Sequence, residues 1–382
     1  MPKSTPDSIL QAIQSRVEKN ALRSMQVREG LVDFSSNDYL GFSRSQVIYE
    51  AAHTKLTTNG LVQNGSTGSR LLSGHNAFYK EVEKQIADFH EEESALLFNS
   101  GYSANIGLLG SVPERHDCIL YDEYIHASIR EGILLSNAKG YKFRHNDFDH
   151  LWERIQNLKS KTRNFYVVTE SVFSMDGDSP DLLQLFNVCK AENVFIIIDE
   201  AHATGVIGDK GQGLVQSLGI EKEIFARIHT FGKGLGCHGA VILGDSSLTK
   251  YLVNFSRSFI YTTALPPHAV ATISSSYEQL QKTNQIEMLS SRIRWFKAQL
   301  EQKGLKSVFI ESDSSIQSCI IPSNDKVRKI SALLLESGYD VRPILSPTVP
   351  AGKERLRFCL HSYNTEEEMD GVLSILVELL QK

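Results

Sequence analysis

The chain has 382 residues, 41% of them hydrophobic and 22% charged, as in a soluble globular protein of two or three domains. Its formal net charge of −5 offers no electrostatic basis for binding nucleic acid or a membrane surface. The five cysteines are widely spaced and lack a CxxC pair, which disfavours a disulfide framework and a metal site. No apolar run has bilayer length and the N-terminus carries Asp7 and Glu18, so we expect a cytoplasmic protein.

The N-terminal part predicts an amphipathic helix followed by two polar loops. Residues 8–26 carry apolar side chains at roughly helical spacing. Residues 34–41 are polar and turn-rich, which is more typical of a loop that forms a site than of a linker. Residues 65–70 contain two glycines and precede a helical pattern with apolar residues on one face between residues 78 and 89.

Seven short apolar runs alternate with helical patterns through the middle of the chain. Several runs are apolar at every position, which is typical of strands covered by helices on both faces of a parallel sheet. We therefore predict one large α/β domain with a mostly parallel, seven-stranded sheet. The runs are residues 95–98, 118–121, 141–143, 165–169, 194–198, 228–231 and 240–243.

The pattern changes near residue 285, where a clean helical stripe begins that ends at Gly304. Thr365 and Glu368 have the spacing of a capping box before the last helix. This region predicts a small α+β domain, with strands at 307–310, 316–321 and 355–360 and a helix at 325–337. The predicted domains are an N-terminal arm (1–45), a large domain (46–284) and a small domain (285–382).

Lys233 and Asp199 carry the strongest chemical signal. Asp199 ends the apolar run 194–198, and Lys233 follows the next run inside a glycine-rich turn. A buried carboxylate needs a partner, because an isolated one would neutralise. An amine that can form a Schiff base, near an acid that keeps a pyridine nitrogen protonated, is what pyridoxal 5'-phosphate (PLP) chemistry requires. These residues, with His202 nearby, predict PLP as the cofactor.

Other strand ends carry suitable chemistry with less specificity. Residues 99–105 form a small polar turn that opens a helix, and this suits either a bound phosphate or an ordinary helix cap. His126 follows another strand and could stack on a flat cofactor, although a lone histidine is more often structural. Residues 170–178 are dense in polar groups. Because ligands bind at strand ends in open α/β sheets, these segments are expected to meet.

Residues 234–239 match the pattern GxGxxG. A dinucleotide-binding fingerprint must open a helix and be followed about twenty residues later by an acid. Here the next segment, residues 240–243, is a predicted strand. We therefore reject NAD as a cofactor and expect Cys237 and His238 to be packing residues.

Together these segments resemble the α-oxoamine synthases, PLP enzymes of fold type I that condense an amino acid with an acyl thioester and release carbon dioxide. The resemblance runs from about residue 30 to the C-terminus. It is carried by residues 35–41, 65–70, 99–105, 170–178, 199–202, 230–233 and 261–267. Within the family, residues 230–234, 347–352 and 355–357 are most similar to the branch that joins L-alanine to a pimeloyl thioester in biotin biosynthesis.

The resemblance implies a role for each matched position. Lys233 would bind the cofactor aldehyde, Asp199 the ring nitrogen and His202 the phenolate oxygen, and His126 would stack on the ring as a fourth catalytic residue. Further cofactor contacts would come from Gly101, Tyr102, Ser174 and Thr230, and from Thr262 and Thr263 of the second subunit of a homodimer. The substrates would be held by Asn37, Arg357, Arg23 and Thr348, with Arg23 at the far end of the acyl chain.

Several alternatives share this constellation. Sister enzymes of the same family use glycine or serine, and only the substrate pocket separates them from an enzyme that uses alanine. An aminotransferase would need no thioester and would release no carbon dioxide. A non-catalytic subunit would lack the lysine, which this chain retains as Lys233. Whether coenzyme A or an acyl carrier protein carries the acyl group stays open, as does its chain length.

Overall fold

A computed structural model describes residues 5–19, 22, 23, 25 and 27–381. The helices are α1 Asp7–Glu18, α2 Gln46–Thr58, α3 Ala77–Phe89, α4 Gly101–Leu109, α5 Ala127–Leu135, α6 Phe148–Leu158, α7 Leu182–Ala191, α8 Leu214–Ser217, α9 Ser246–Phe255, α10 Arg257–Ile260, α11 Pro267–Leu280, α12 Gln285–Gln302, α13 Asn324–Glu336 and α14 Glu366–Gln381. The strands are β1 Val32–Asp33, β2 Ser94–Phe98, β3 Cys118–Asp122, β4 Lys139–Phe143, β5 Phe165–Glu170, β6 Phe195–Asp199, β7 Ala226–Thr230, β8 Ala240–Gly244, β9 Ile316–Ile320, β10 Tyr339–Asp340, β11 Arg342–Ile344 and β12 Arg355–Cys359. None of these helices is long and apolar enough to cross a membrane.

The large sheet has the strand order β2-β8-β7-β6-β5-β3-β4. Strands β3 to β7 pair in parallel, and β8 is antiparallel to both of its neighbours, β2 and β7. All seven predicted strands are present, so the mostly parallel sheet is confirmed. The parallel strands end at one edge, where Glu170 of β5 is in register with Asp199 of β6.

Two apolar layers cover this sheet, and they explain the uninterrupted apolar runs. Successive strand residues contribute to opposite layers: Ile119 and Val168 pack in one, whereas Leu120 and Val167 pack in the other. Each fully buried side chain of this size stabilises the fold by about 1.5–3 kcal/mol relative to an exposed one. Because neither face is open to water, the hydrophobic pattern of these strands does not alternate.

The C-terminal region contains the antiparallel sheet β11-β12-β9 and the helices α12, α13 and α14. The capping box is present: the Thr365 amide donates to Glu368, and the Glu368 amide donates back to Thr365 Oγ1. The predicted strand at 307–310 is wrong. Lys306–Val308 forms a 3₁₀ turn, and only Phe309 makes a β-bridge, to Cys319, because the turn leaves too few residues extended.

The N-terminal region departs from prediction at one point. The helix predicted over residues 8–26 ends at Glu18, and residues 20, 21, 24 and 26 lie outside the described residues. Farther along, β1 pairs in parallel with β10, which connects the segment before Phe34 to the C-terminal region. Phe34 packs in one buried cluster with Phe358 of β12. The three domain boundaries stay a prediction.

Candidate active site

Lys233 and Asp199 come together because β6 and β7 are neighbouring parallel strands. Asp199 ends β6, and Lys233 lies in the tight turn between β7 and β8, where its carbonyl accepts the Gly236 amide at 2.8 Å. Gly236 has a φ of +61°, and a Cβ there would lie 2.2 Å from the Ser43 amide nitrogen. Gly236 thus serves close packing. The GxGxxG segment leads into β8 instead of a helix.

Lys233 Nζ lies 2.8 Å from His202 Nε2, and His202 Nδ1 lies 2.7 Å from the Tyr39 hydroxyl. Tyr39 in turn donates to Asn37 Oδ1 at 3.1 Å. Burial lowers the pKa of His202 well below its ordinary value, and the charge of Lys233 adds to this effect, so the imidazole is neutral. With Tyr39 donating to Asn37, His202 donates from Nδ1 and accepts from Lys233 at Nε2.

The same network continues to Arg357 on β12. Arg357 Nη2 donates to Asn37 Oδ1 at 3.0 Å, and Arg357 Nε donates to the Ser174 carbonyl at 2.7 Å. The guanidinium is therefore held at two points, and it lies close enough to Lys233 for its charge to act on the amine. Burial raises the pKa of Tyr39 far above its usual value, so this hydroxyl keeps its proton. A hydrogen-bonded chain thus links the C-terminal region to the end of β7.

Asp199 has its own set of partners. Asn105 of α4 donates from Nδ2 to Asp199 Oδ2 at 2.7 Å, and the Ala201 amide donates to Oδ1 at 2.9 Å. Asn105 Nδ2 also contacts Ser128 Oγ at 3.0 Å, and this hydroxyl lies 2.8 Å from His126 Nδ1. Both oxygens of the buried carboxylate are thus hydrogen-bonded, which is the condition for keeping its charge.

A second buried carboxyl group, that of Glu170, lies beside this cluster. Its Oε1 accepts the His126 amide at 2.5 Å. Burial, together with the nearby charge of Asp199, raises the pKa of Glu170 to about 8. Burial lowers the pKa of Lys233 to about 8, against the opposing attraction of Asp199 and Glu170. A substantial fraction of the Lys233 amine is therefore neutral near physiological pH.

The N-terminus of α4 forms a concavity that is suited to an anion. Ser100 caps this helix by accepting the Ser103 amide, and Gly101 is its first residue. A Cβ on Gly101 would lie 2.2 Å from Thr230 Oγ1, so the threonine hydroxyl of β7 fills the space that a side chain would take. Free backbone N–H groups and a hydroxyl at a helix N-terminus suit a phosphate. The Tyr102 hydroxyl contacts Glu131, so Tyr102 would serve a phosphate through its backbone N–H.

Thr262 and Thr263 lie beside this concavity within the single chain. Asn99 Nδ2 donates to Thr262 Oγ1 at 3.1 Å and to the Thr263 carbonyl at 2.7 Å. The polar segment after β2 is therefore in contact with the loop that precedes α11. Their assignment to a partner subunit stays a prediction.

A cavity of about 440 Å³ opens next to His126 and Ser174. Arg23 and Thr348 also line it, so four residues predicted for cofactor or substrate binding share its wall. Its apolar lining comes from Ile125, Phe173, Met175, Val349 and Pro350. The cavity is large enough for a flexible chain of several carbons, with walls that suit methylene groups.

His145, Asp176 and Asp178 place three potential metal ligands close together near this cavity. However, His145 Nδ1 and Nε2 contact Asp122 and Asp178 at 2.9 and 2.8 Å. Although burial alone would lower it, these hydrogen bonds raise the pKa of His145 to about 9. The ring is an imidazolium with no lone pair for a metal, and Asp176 pairs with Arg355. The cluster is therefore a set of ion pairs.

These residues fit PLP at each of its polar groups. The Gly101 concavity is suited to the phosphate and Asp199 to a protonated ring nitrogen, and the neutral His202, in the tautomer protonated at Nε2, can donate to a phenolate oxygen. The sequence did not assign roles to Tyr39, Asn105 or Glu170. Each of them lay inside a polar segment already singled out, so the available signal was their place in those segments.

The chain belongs to the aminotransferase class I and II family, whose model matches residues 29–376. It is 42% identical to the 8-amino-7-oxononanoate synthase of Emericella nidulans, over 100% of this chain and 97% of that protein. Among solved structures, serine palmitoyltransferase from Sphingomonas wittichii is similar over 98% of this chain and 96% of that one (TM-score 0.87, 26% identity). The 8-amino-7-oxononanoate synthase of Francisella tularensis is similar over 93% and 99% (TM-score 0.79, 28% identity). The resemblance to α-oxoamine synthases is thereby confirmed.

Proposed function

We propose that this chain is a PLP-dependent acyltransferase that condenses L-alanine with a pimeloyl thioester and releases carbon dioxide, giving 8-amino-7-oxononanoate for biotin biosynthesis. The observation that carries the proposal is the joint placement of Lys233, Asp199, His202 and Arg357 around one site. The 42% identical synthase, aligned over the whole chain, supports the same activity.

PLP, when bound, supplies an aldehyde that combines with an amine and a ring that accepts an electron pair. Lys233 Nζ is the amine of this chain that would meet the aldehyde, and Asp199 would keep the ring nitrogen protonated. Gly101, Tyr102 and Thr230 would hold the phosphate, helped by Thr262 and Thr263. His126 and Ser174 would lie against the ring and His202 against the phenolate oxygen.

Lys233 is also the base that removes the proton from the α-carbon of the amino acid. Its amine can do so because burial lowers its pKa to about 8, close to the pH at which such a base works best. His202 accepts a hydrogen bond from Nζ and so directs the nitrogen lone pair. Asp199 would keep the ring nitrogen of bound PLP protonated, and that positive charge would stabilise the negative charge that develops at the α-carbon.

Arg357 and Asn37 position the amino acid. The Arg357 fork can bind a carboxylate in a bidentate manner, and its attachment to Ser174 and Asn37 fixes the direction of the fork. Fixing the carboxylate orients the bond that breaks at the α-carbon. The adjoining cavity, with Thr348 and Arg23 on its wall, would receive the acyl chain.

The active form would be a homodimer that works in the cytoplasm. Large apolar side chains are exposed on the described surface, among them Leu72, Leu134 and Tyr261. Such exposure supports a protein interface, and a second copy of the chain is the partner that the family resemblance implies. Light scattering of the purified protein tests the dimer. An acyl carrier protein is a possible second partner, as carrier of the pimeloyl group.

A direct test incubates the purified, PLP-loaded protein with L-alanine and pimeloyl thioester. Mass spectrometry should detect 8-amino-7-oxononanoate together with one free thiol and one carbon dioxide per turnover. Lys233→Ala should give no product. Formation of pyruvate without thioester consumption would instead indicate an aminotransferase and would refute the proposal.

The serine palmitoyltransferase neighbours support a second candidate, in which serine replaces alanine and a long acyl chain replaces the pimeloyl group. A panel of alanine, glycine and serine against pimeloyl, acetyl and palmitoyl thioesters separates the two. Alanine with the pimeloyl thioester should give the highest kcat/KM.

A further inference from the structure

The cavity beside His126 carries an imbalance of charge. Three guanidinium groups line it, those of Arg23, Arg130 and Arg355, against a single carboxylate, that of Asp176. Arg355 is buried and pairs with Asp176, which neutralises both. Within the described ranges, Arg23 and Arg130 form no ion pair, so the cavity retains two uncompensated positive charges.

Of these arginines, Arg130 is held in place by hydrogen bonds to backbone carbonyls. Its Nε donates to the Ile125 carbonyl at 3.3 Å, and its Nη2 contacts the Glu123 carbonyl. The neighbouring acids do not neutralise it: the Glu123 carboxylate pairs with Lys142, and the Glu131 carboxylate contacts Tyr102. Anchoring by two neutral carbonyls keeps the guanidinium charge intact and leaves other N–H donors for a ligand.

The surroundings of Arg130 add to its attraction for an anion. It lies in the first turn of α5, where the partial positive charge of the helix N-terminus favours negative groups. The exposed ring of Tyr124 lines the same cavity and offers a hydroxyl donor. The apolar residues Ile125, Phe173, Met175, Val349 and Pro350 line the remainder. The cavity thus combines a surface for methylene groups with a fixed cation.

We propose that Arg130, in place of the Arg23 that the family resemblance implies, binds the free carboxylate at the far end of the acyl chain and so selects an acyl thioester that ends in a carboxylate over one that ends in a methyl group. The inference rests on the proposed function and deepens it, because it names a specificity-determining residue. A bidentate guanidinium–carboxylate pair supplies both energy and direction. A methyl-ended chain cannot form this pair and so lacks its contribution to binding.

The test compares pimeloyl and heptanoyl thioesters, which have equal chain length and differ only in the terminal carboxylate. Both are made on coenzyme A and on pantetheine, which lacks phosphate. In the parent, kcat/KM should favour pimeloyl on both carriers. Arg130→Gln should reduce that preference about 10- to 100-fold, mainly through KM, and Arg130→Lys should lie between the two. Arg115→Gln, which removes an exposed arginine outside the cavity, should keep the parent preference.

Two outcomes would overturn the inference. An unchanged preference of Arg130→Gln for the pimeloyl thioester would show that Arg130 does not bind the terminal carboxylate. Equal losses for both acyl chains on coenzyme A, absent on pantetheine, would show that it binds a carrier phosphate. Calorimetry with free pimelate and heptanoate separates this inference from the proposed function. Arg130-dependent binding of pimelate without turnover would refute the proposed reaction alone, and unchanged PLP absorbance in the variant reports that it folds.

Discussion

The side-chain amide of Asn105 lies 2.7 Å from Asp199 Oδ2 and joins the first turns of α4 to the end of β6. The two residues are separated by 94 positions in the chain. Both residues are buried, so water cannot reach the carboxylate to replace the amide donor. Loss of this donor would therefore leave the carboxylate oxygen with an unsatisfied hydrogen bond. The electrostatic partner proposed for the cofactor ring is thus itself held in place by a residue on a neighbouring element.

Replacing Asn105 with alanine should weaken catalysis without unfolding the chain. Asp199 would keep the Ala201 amide but lose its side-chain donor, which costs about 1.5–3 kcal/mol for a charged, buried acceptor. We expect kcat/KM for L-alanine to fall about 10- to 150-fold. Asn254→Ala, which removes an exposed amide bonded to the Lys250 carbonyl, is the control. Equal kinetics for Asn105→Ala and the parent would exclude this support for Asp199.

Glu170 should make the cofactor-free protein less stable as the pH rises from about 4.5 to about 8. Burial, and then the charge of Asp199, raise its pKa to about 8, so across this window the folded state binds a proton that the unfolded state has released. The free energy of unfolding therefore decreases, by at most about 1.4 kcal/mol per pH unit. Glu170→Gln should flatten this slope in urea denaturation at pH 5, 6, 7 and 8. A slope that the substitution leaves unchanged would contradict the assignment.

A side chain at position 101 should impair binding of PLP. A Cβ there would lie 2.2 Å from Thr230 Oγ1, so the threonine or the helix start must move. Gly101→Ala should lower the affinity for PLP about 10-fold or more in an absorbance titration, because several phosphate donors are displaced together. The matched control is Gly65→Ala, whose Cβ would meet no heavy atom within 4 Å. Equal affinities for the two variants would argue against the concavity as phosphate site.

Arg357→Lys should raise KM for L-alanine about 10- to 100-fold. A lysine ammonium is a point charge and cannot bind a carboxylate in two parallel bonds while it also contacts Ser174 and Asn37. PLP affinity should change little, since Arg357 is assigned to the substrate. Arg342→Lys, on the exposed arginine that pairs with Asp340, should behave like the parent. A KM that stays at the parent value would remove Arg357 from the carboxylate site.

Most strands of the large sheet could be predicted from the sequence because they are short apolar runs, and most of these runs alternate with helical patterns. The run 165–169 is an example. Strand β5 is buried at every position, so consecutive residues are apolar and both faces of the strand can be recognised as buried. The strand predicted at 307–310 failed for the opposite reason. It is short and lies at an edge, so the turn geometry of Lys306–Val308 outweighed its β-propensity.

The sequence alone determined which residues have the right chemistry and that most of them follow strands: Lys233, Asp199 and His126 were identifiable from residue type and position. Only the tertiary structure decided their partners. Tyr39 reaches His202 across 163 positions, and Arg357 reaches Asn37 across 320. Such contacts depend on the order in which strands pair and on how the C-terminal sheet packs against the large one. Local sequence patterns encode burial and periodicity, but they carry no information about which distant strand end becomes the neighbour.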